Sequence, residues 1–74
     1  MRDVSKLLVR AQRKLANRVH RLLLDKQMTQ RELARIIGMK ESYMSEFLAG
    51  EVNPTLKTIL LLEEGLGDEL IEIK

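Results

Sequence analysis

A chain of 74 residues and 8.6 kDa has room for one domain. Its 13 Lys/Arg and 11 Asp/Glu leave a net charge of +2, but the sum conceals a split. Residues 1–40 hold eleven cations against Asp3, Asp25 and Glu32, a net of +8, and residues 41–74 hold Lys57 and Lys74 against eight acids, a net of −6. Such asymmetry points to a nucleic-acid or membrane partner for the basic half. The absence of Cys excludes disulfides and thiolate metal sites. A single histidine, His20, excludes a His-rich metal site and leaves little room for nucleophilic catalysis. The apolar runs Leu22–Leu24 and Ile59–Leu62 are too short to span a bilayer, and the charged N-terminus lacks a signal-peptide core. The expectation is a soluble, cytoplasmic protein, not an enzyme, with no metal and no cofactor.

From Val4 to Leu23 the chain holds no Gly or Pro. Val4, Leu7, Leu8, Ala11, Leu15, Val19, Leu22 and Leu23 fall within an arc of roughly 160° when wound as a helix. Lys6, Arg10, Arg13, Lys14 and Arg21 lie opposite, with Arg18 at the seam. This predicts one long amphipathic helix, or two shorter ones, whose end must come from local chemistry because no breaker is present. Thr29 and Glu32 have the spacing of a capping box and open a second helix that ends at Gly38. A third spans roughly 41–49 and ends at Gly50. Asn53-Pro54-Thr55 forms a turn and N-cap for a fourth, from Leu56 to about Leu66, with Gly65 and Gly67 marking its end. The tail from Asp68 to Lys74 reads as a short strand or a frayed helical turn. The aliphatic core, dominated by Leu, favours helices.

Residues 29–50, TQRELARIIGMKESYMSEFLAG, place two short helices around a Gly-containing turn, the pattern of a helix-turn-helix. Leu33, Ala34 and Ile37 face inward from the first helix, and Ala34 is small where the helices cross. Gly38 permits positive φ at the reversal. Met44 and Phe47 lock the second helix to the core, with Met28 and Met39 as further fillers. Glu41, Ser42, Tyr43, Ser45 and Glu46 are left pointing outward.

The segment resembles the helix-turn-helix of the Cro/CI-type (XRE) family of DNA-binding domains over about residues 15–67. The resemblance rests on Thr29-Gln30, Glu32-Leu33-Ala34, Gly38, Met44-Ser45, Gly50 and Asn53-Pro54-Thr55-Leu56. It implies an all-α, lambda-repressor-like bundle of five or nearly five helices. The second motif helix of such a domain enters the major groove. On that basis residues 1–74 form a single helix-turn-helix domain: a motif at 29–50, an N-terminal helical extension at 1–14 and a C-terminal tail at 68–74. The resemblance also implies transcriptional regulation, usually by a homodimer on an inverted repeat. Carried over by position, Lys40, Glu41, Ser42 and Glu46 lie near base edges. Gln30, Tyr43 and Ser45 touch the DNA backbone, and Arg31 and Arg35 flank the groove.

The departures from the family pattern are informative. Gln27 stands where the family often has Gly, and so is expected in a left-handed conformation at a cost of about 1 kcal/mol. Leu23 and Leu48 replace a common buried Arg–Glu pair and are expected to touch, a swap that is often neutral or stabilising. The reading helix offers two acids and Lys40, which is unfavourable near phosphates unless the acids accept from cytosine N4 or are neutralised by Arg. The phosphate contacts are therefore expected from Lys6, Arg10, Arg13, Lys14 and Arg18, with Arg31 and Arg35. Val4, Leu7, Leu8 and Ala11 exceed what the family core needs, and must pack on the far side of the domain or on a second subunit. Dimerisation is expected through Leu62, Leu66, Leu70, Ile71 and Ile73, with the tail strand pairing across a twofold as one form of it. His20 is expected on the first helix, exposed or half-buried, without a ligand role.

The leading reading is a sequence-specific, double-stranded-DNA-binding repressor of the nucleoid. One alternative is an antitoxin that binds its own operator and holds a basic toxin against the acidic half. Another is a protein-interaction module with a repurposed helix-turn-helix.

Overall fold

The computed structural model describes residues 4–71. Among them are four helices and no strand: α1 (Ser5–Asp25), α2 (Gln30–Ile37), α3 (Glu41–Leu48) and α4 (Leu56–Leu66). The expected first helix is thus continuous. It stops without Gly or Pro because Gln27 adopts a left-handed φ of 53°. The Met28 N–H then donates to the Leu23 carbonyl and the Gln27 N–H to the Leu24 carbonyl, at 2.9 and 3.2 Å. This is a Schellman closure built on a non-Gly residue. The same closure ends α2 at Gly38, whose φ is 71°. There Met39 N–H donates to the Ala34 carbonyl at 2.8 Å.

The capping box opens α2 as the spacing predicts: Glu32 N–H donates to Thr29 Oγ1, and Thr29 N–H donates to Glu32 Oε1. Such a cap contributes about 1 kcal/mol. Thr55 caps α4 by accepting from Thr58 N–H at 3.2 Å.

One core joins the helices. It contains Val19, Leu22 and Leu23 of α1, Leu33 and Ala34 of α2, Met44, Phe47 and Leu48 of α3, and Leu62 and Leu66 of α4. Ala34 is almost wholly buried where α2 meets its neighbours, as the motif requires. Leu23 and Leu48 share this cluster.

Four expectations need correction. Leu62 and Leu66 are only 1% and 3% exposed in this chain's own core, so they are not available to a second subunit. The tail from Asp68 to Ile71 is a bend, not a strand. Glu63 Oε2 accepts from the N–H groups of both Leu70 and Ile71, at 2.7 and 3.1 Å, removing the donors a strand would offer a partner. Ile73 lies outside the described residues. Gly65 is inside α4, where a Cβ would come within 2.6 Å of Ile37 Cγ2; it is a point of close helix approach rather than a stop. Finally, Val4, Leu7 and Leu8 do not pack on the far side of the domain: they remain 61%, 48% and 41% exposed, and Ala11 is exposed too.

The burial of α1 begins only at Ala16, with Gln12 and Leu15 half-buried. Its first seven residues, about 10 Å at 1.5 Å per residue, project past the core. A fifth helix is absent among the described residues because the left-handed turn at Gly67 and the Glu63 carboxylate fold the chain after α4 back on itself.

Candidate nucleic-acid interface

At 100° per residue, Glu41, Ser45, Ala49, Ser42 and Glu46 of α3 and its C-cap fall within an arc of about 140°. All five are exposed, whereas Met44, Phe47 and Leu48 on the other side are buried. The exposed face of α3 is therefore short, polar and acidic, with no cation on the helix itself. Tyr43 does not point freely outward as expected: it is half-buried and packs against the core. Its position on the wheel, next to Phe47, draws the ring inward.

Lys40 is the N-cap residue of α3, extended and exposed, and its side chain makes no capping bond. Glu41 follows in the first turn, where the helix dipole favours a carboxylate. Its Oε1 lies 3.5 Å from Arg31 Nε. Both side chains are largely exposed, so the pair contributes at most about 1 kcal/mol. The pair does, however, neutralise one of the two α3 acids and ties the first turn of α2 to that of α3. Arg31, Arg35 and Glu41 line one depression with Ala34 and Met39. Gln30 is exposed at the first position of α2, at the end where backbone N–H groups lack helical partners.

The cations of α1 divide. Arg18 pairs with Asp68 Oδ1 at 3.5 Å and turns toward the tail. Lys6, Arg10, Arg13 and Lys14 line a groove along α1 with Asn17. Arg13 adjoins α3: its Cγ lies 3.3 Å from where a Cβ on Gly50 would stand.

His20 is exposed on α1, and its Nε2 lies 3.0 Å from the Leu48 carbonyl oxygen, satisfying an orphan acceptor at the α3 C-terminus. The sequence reading missed this latch and the Glu63 clasp on the tail. Both join residues whose spacing carries no local signal.

A family model described as helix-turn-helix matches residues 19–72. The curated proteins and the solved structures gave no match. Among the described residues no helix is long and apolar enough to cross a membrane. The match runs from within α1 to beyond α4 and takes in both helices of the motif, so the chain belongs to the helix-turn-helix family, as a DNA-binding regulator domain of the Cro/CI (XRE) type.

Proposed function

We propose that the protein is a sequence-specific transcriptional repressor that acts in the cytoplasm as a homodimer on an inverted-repeat operator. The observation that carries this reading is the exposed polar arc of α3, held by a fully apolar opposite face. Lys40, Glu41, Ser42 and Glu46 read base edges, and a carboxylate here selects cytosine by accepting from its N4 amino group. Gln30, Arg31, Arg35 and Ser45 fix the register on phosphates, and the Tyr43 hydroxyl reaches the backbone from a ring seated on the core. With Leu62 and Leu66 committed to the core, the subunit contact falls to Leu70, Ile71 and the exposed Leu56 and Leu60 of α4. Selection of bound sites from random duplex DNA tests the reading. A palindromic consensus with half-sites one turn apart, about 34 Å, is the expected result; a consensus without symmetry removes the dimer, and no enrichment removes the function.

A second reading is favoured by one surface. Residues 51–71 hold Lys57 against five acids, a net of −4, beside exposed Leu56 and Leu60. That surface suits a basic protein partner such as a toxin. Co-purification of a neighbouring gene's product in a fixed ratio is the expected outcome for an antitoxin.

A further inference from the structure

The helix-turn-helix itself supplies no net attraction for DNA. Residues 29–50 hold Arg31, Arg35 and Lys40 against Glu32, Glu41 and Glu46, a sum of zero. The residues after it are net acidic. The positive charge lies on α1: six cations against Asp25, with no acid from Ser5 to Leu24.

These cations form a ribbon. Lys6, Arg10, Arg13, Lys14 and Arg21, with Asn17 among them, fall within an arc of about 100° along about 22 Å of helix. All six are exposed. Among the described residues the ion pairs are Arg18–Asp68 and Arg31–Glu41, and neither involves the ribbon. The ribbon also has a defined start relative to the reading helix. Arg13 lies against Gly50, and His20 holds the Leu48 carbonyl, so α1 leaves the C-terminal end of α3 and continues past the core.

We infer that this projecting face of α1 is a second DNA contact, a phosphate track that extends each half-site beyond the base pairs α3 reads. The inference rests on the proposed DNA-binding function and adds the source of affinity and the length of the site. About two-thirds of a helical turn of DNA fits along the ribbon, against a full turn of about 34 Å. Lys and Arg side chains there displace condensed counterions without reading sequence. The exposed Val4 and Leu8 lie on another side of the helix, Leu7 borders the ribbon beside Lys14, and none of the three is needed for this contact.

The test uses the full chain and two duplexes carrying the selected site, one trimmed to the consensus and one with a full turn of flanking DNA on each side. The variant is K6Q/R10Q/K14Q. These positions are exposed, and Gln keeps helix propensity; Arg13 is left intact because it packs on Gly50. K57Q on α4 is the charge control.

On the flanked duplex the triple variant is expected to lower the log–log salt slope by about 2.7, at 0.9 per lost contact. The K57Q slope stays at the wild-type value. The wild type is expected to lose affinity when the flanks are trimmed, and the variant, which keeps only Arg13 and Arg21 of the ribbon, to lose less. Equal slopes for wild type and triple variant overturn the inference. So does an equal effect of K57Q, which would make the attraction a matter of net charge. A lower slope without flank dependence overturns the placement outside the half-site. Tight, specific binding with unchanged slopes leaves the proposed function standing and removes only the track, whereas a wild type that binds no duplex removes both.

Discussion

The first helix and the helix-turn-helix that follows it are built on opposite electrostatic plans. Residues 5–25 carry a net of +5 and residues 29–50 a net of zero. The first is a long rod, buried along one stripe only from Ala16 onward, and the second is a compact pair locked by Leu33, Ala34, Met44 and Phe47. On the proposed function, the contrast means that pulling DNA in and reading it fall to different side chains. A reading face can hold carboxylates, which discriminate by accepting hydrogen bonds, when another element carries the cost of approaching a polyanion.

Substitutions in the two regions separate their roles. The largest effect is expected from Phe47→Ala. It empties the side of α3 that faces the core and costs about 3–5 kcal/mol of stability. Thermal unfolding should show it, and reading and anchoring should be lost together, because α3 is then released from α1 as well as from α2.

Glu46→Gln is the sharper cut. If α3 reads and α1 anchors, discrimination at one base pair falls by about 1–3 kcal/mol, while affinity for random duplex does not weaken. Titrations against the selected site and a scrambled one separate the two. Equal weakening on both would make α3 an anchor and end the comparison.

Gly65→Ala acts on the scaffold alone. The added methyl would stand 2.6 Å from Ile37 Cγ2, and Ile37 is a β-branched residue in the last turn of α2, stiff at χ1. Overpacking there is partly offset by the better helix propensity of Ala, leaving about 1–2 kcal/mol of destabilisation. Chemical denaturation should show it without any change in the salt slope.

The smallest effect is expected from Gln27→Gly. It relieves a left-handed φ of 53° and should stabilise by about 0.5–1 kcal/mol. Loss of stability instead would mean that the Gln27 side chain contributes more than its backbone strain costs.

Much of the architecture was legible because its signals are local. Thr29 and Glu32 announce a capping box, Gly38 the reversal, Asn53-Pro54-Thr55 a turn and cap, and the 3.6-residue recurrence of Leu and Val the buried stripe of α1. Gln27 was legible from its place in the family pattern. The site was legible in part. The outward arc of α3 follows from helical periodicity, but Tyr43, at the edge of that arc, was misplaced because an aromatic at a boundary position turns toward whatever apolar surface the neighbouring helix offers. Leu62 and Leu66 were misassigned for a related reason. A helical apolar stripe says that something covers it and does not say whether the cover comes from the same chain.

The four helices, their caps and the unequal division of charge follow from local sequence alone, because hydrogen-bond closure, dihedral preference and charge are properties of neighbouring residues. How the cations are placed was decided by the packing of the helices. It turned Arg18 to Asp68 and Arg31 to Glu41, set Arg13 against Gly50, and let α1 run on beyond the core. Those outcomes depend on where helices cross, and crossing geometry is fixed by the packing of the whole core around Leu33, Met44 and Leu62 rather than by any one segment.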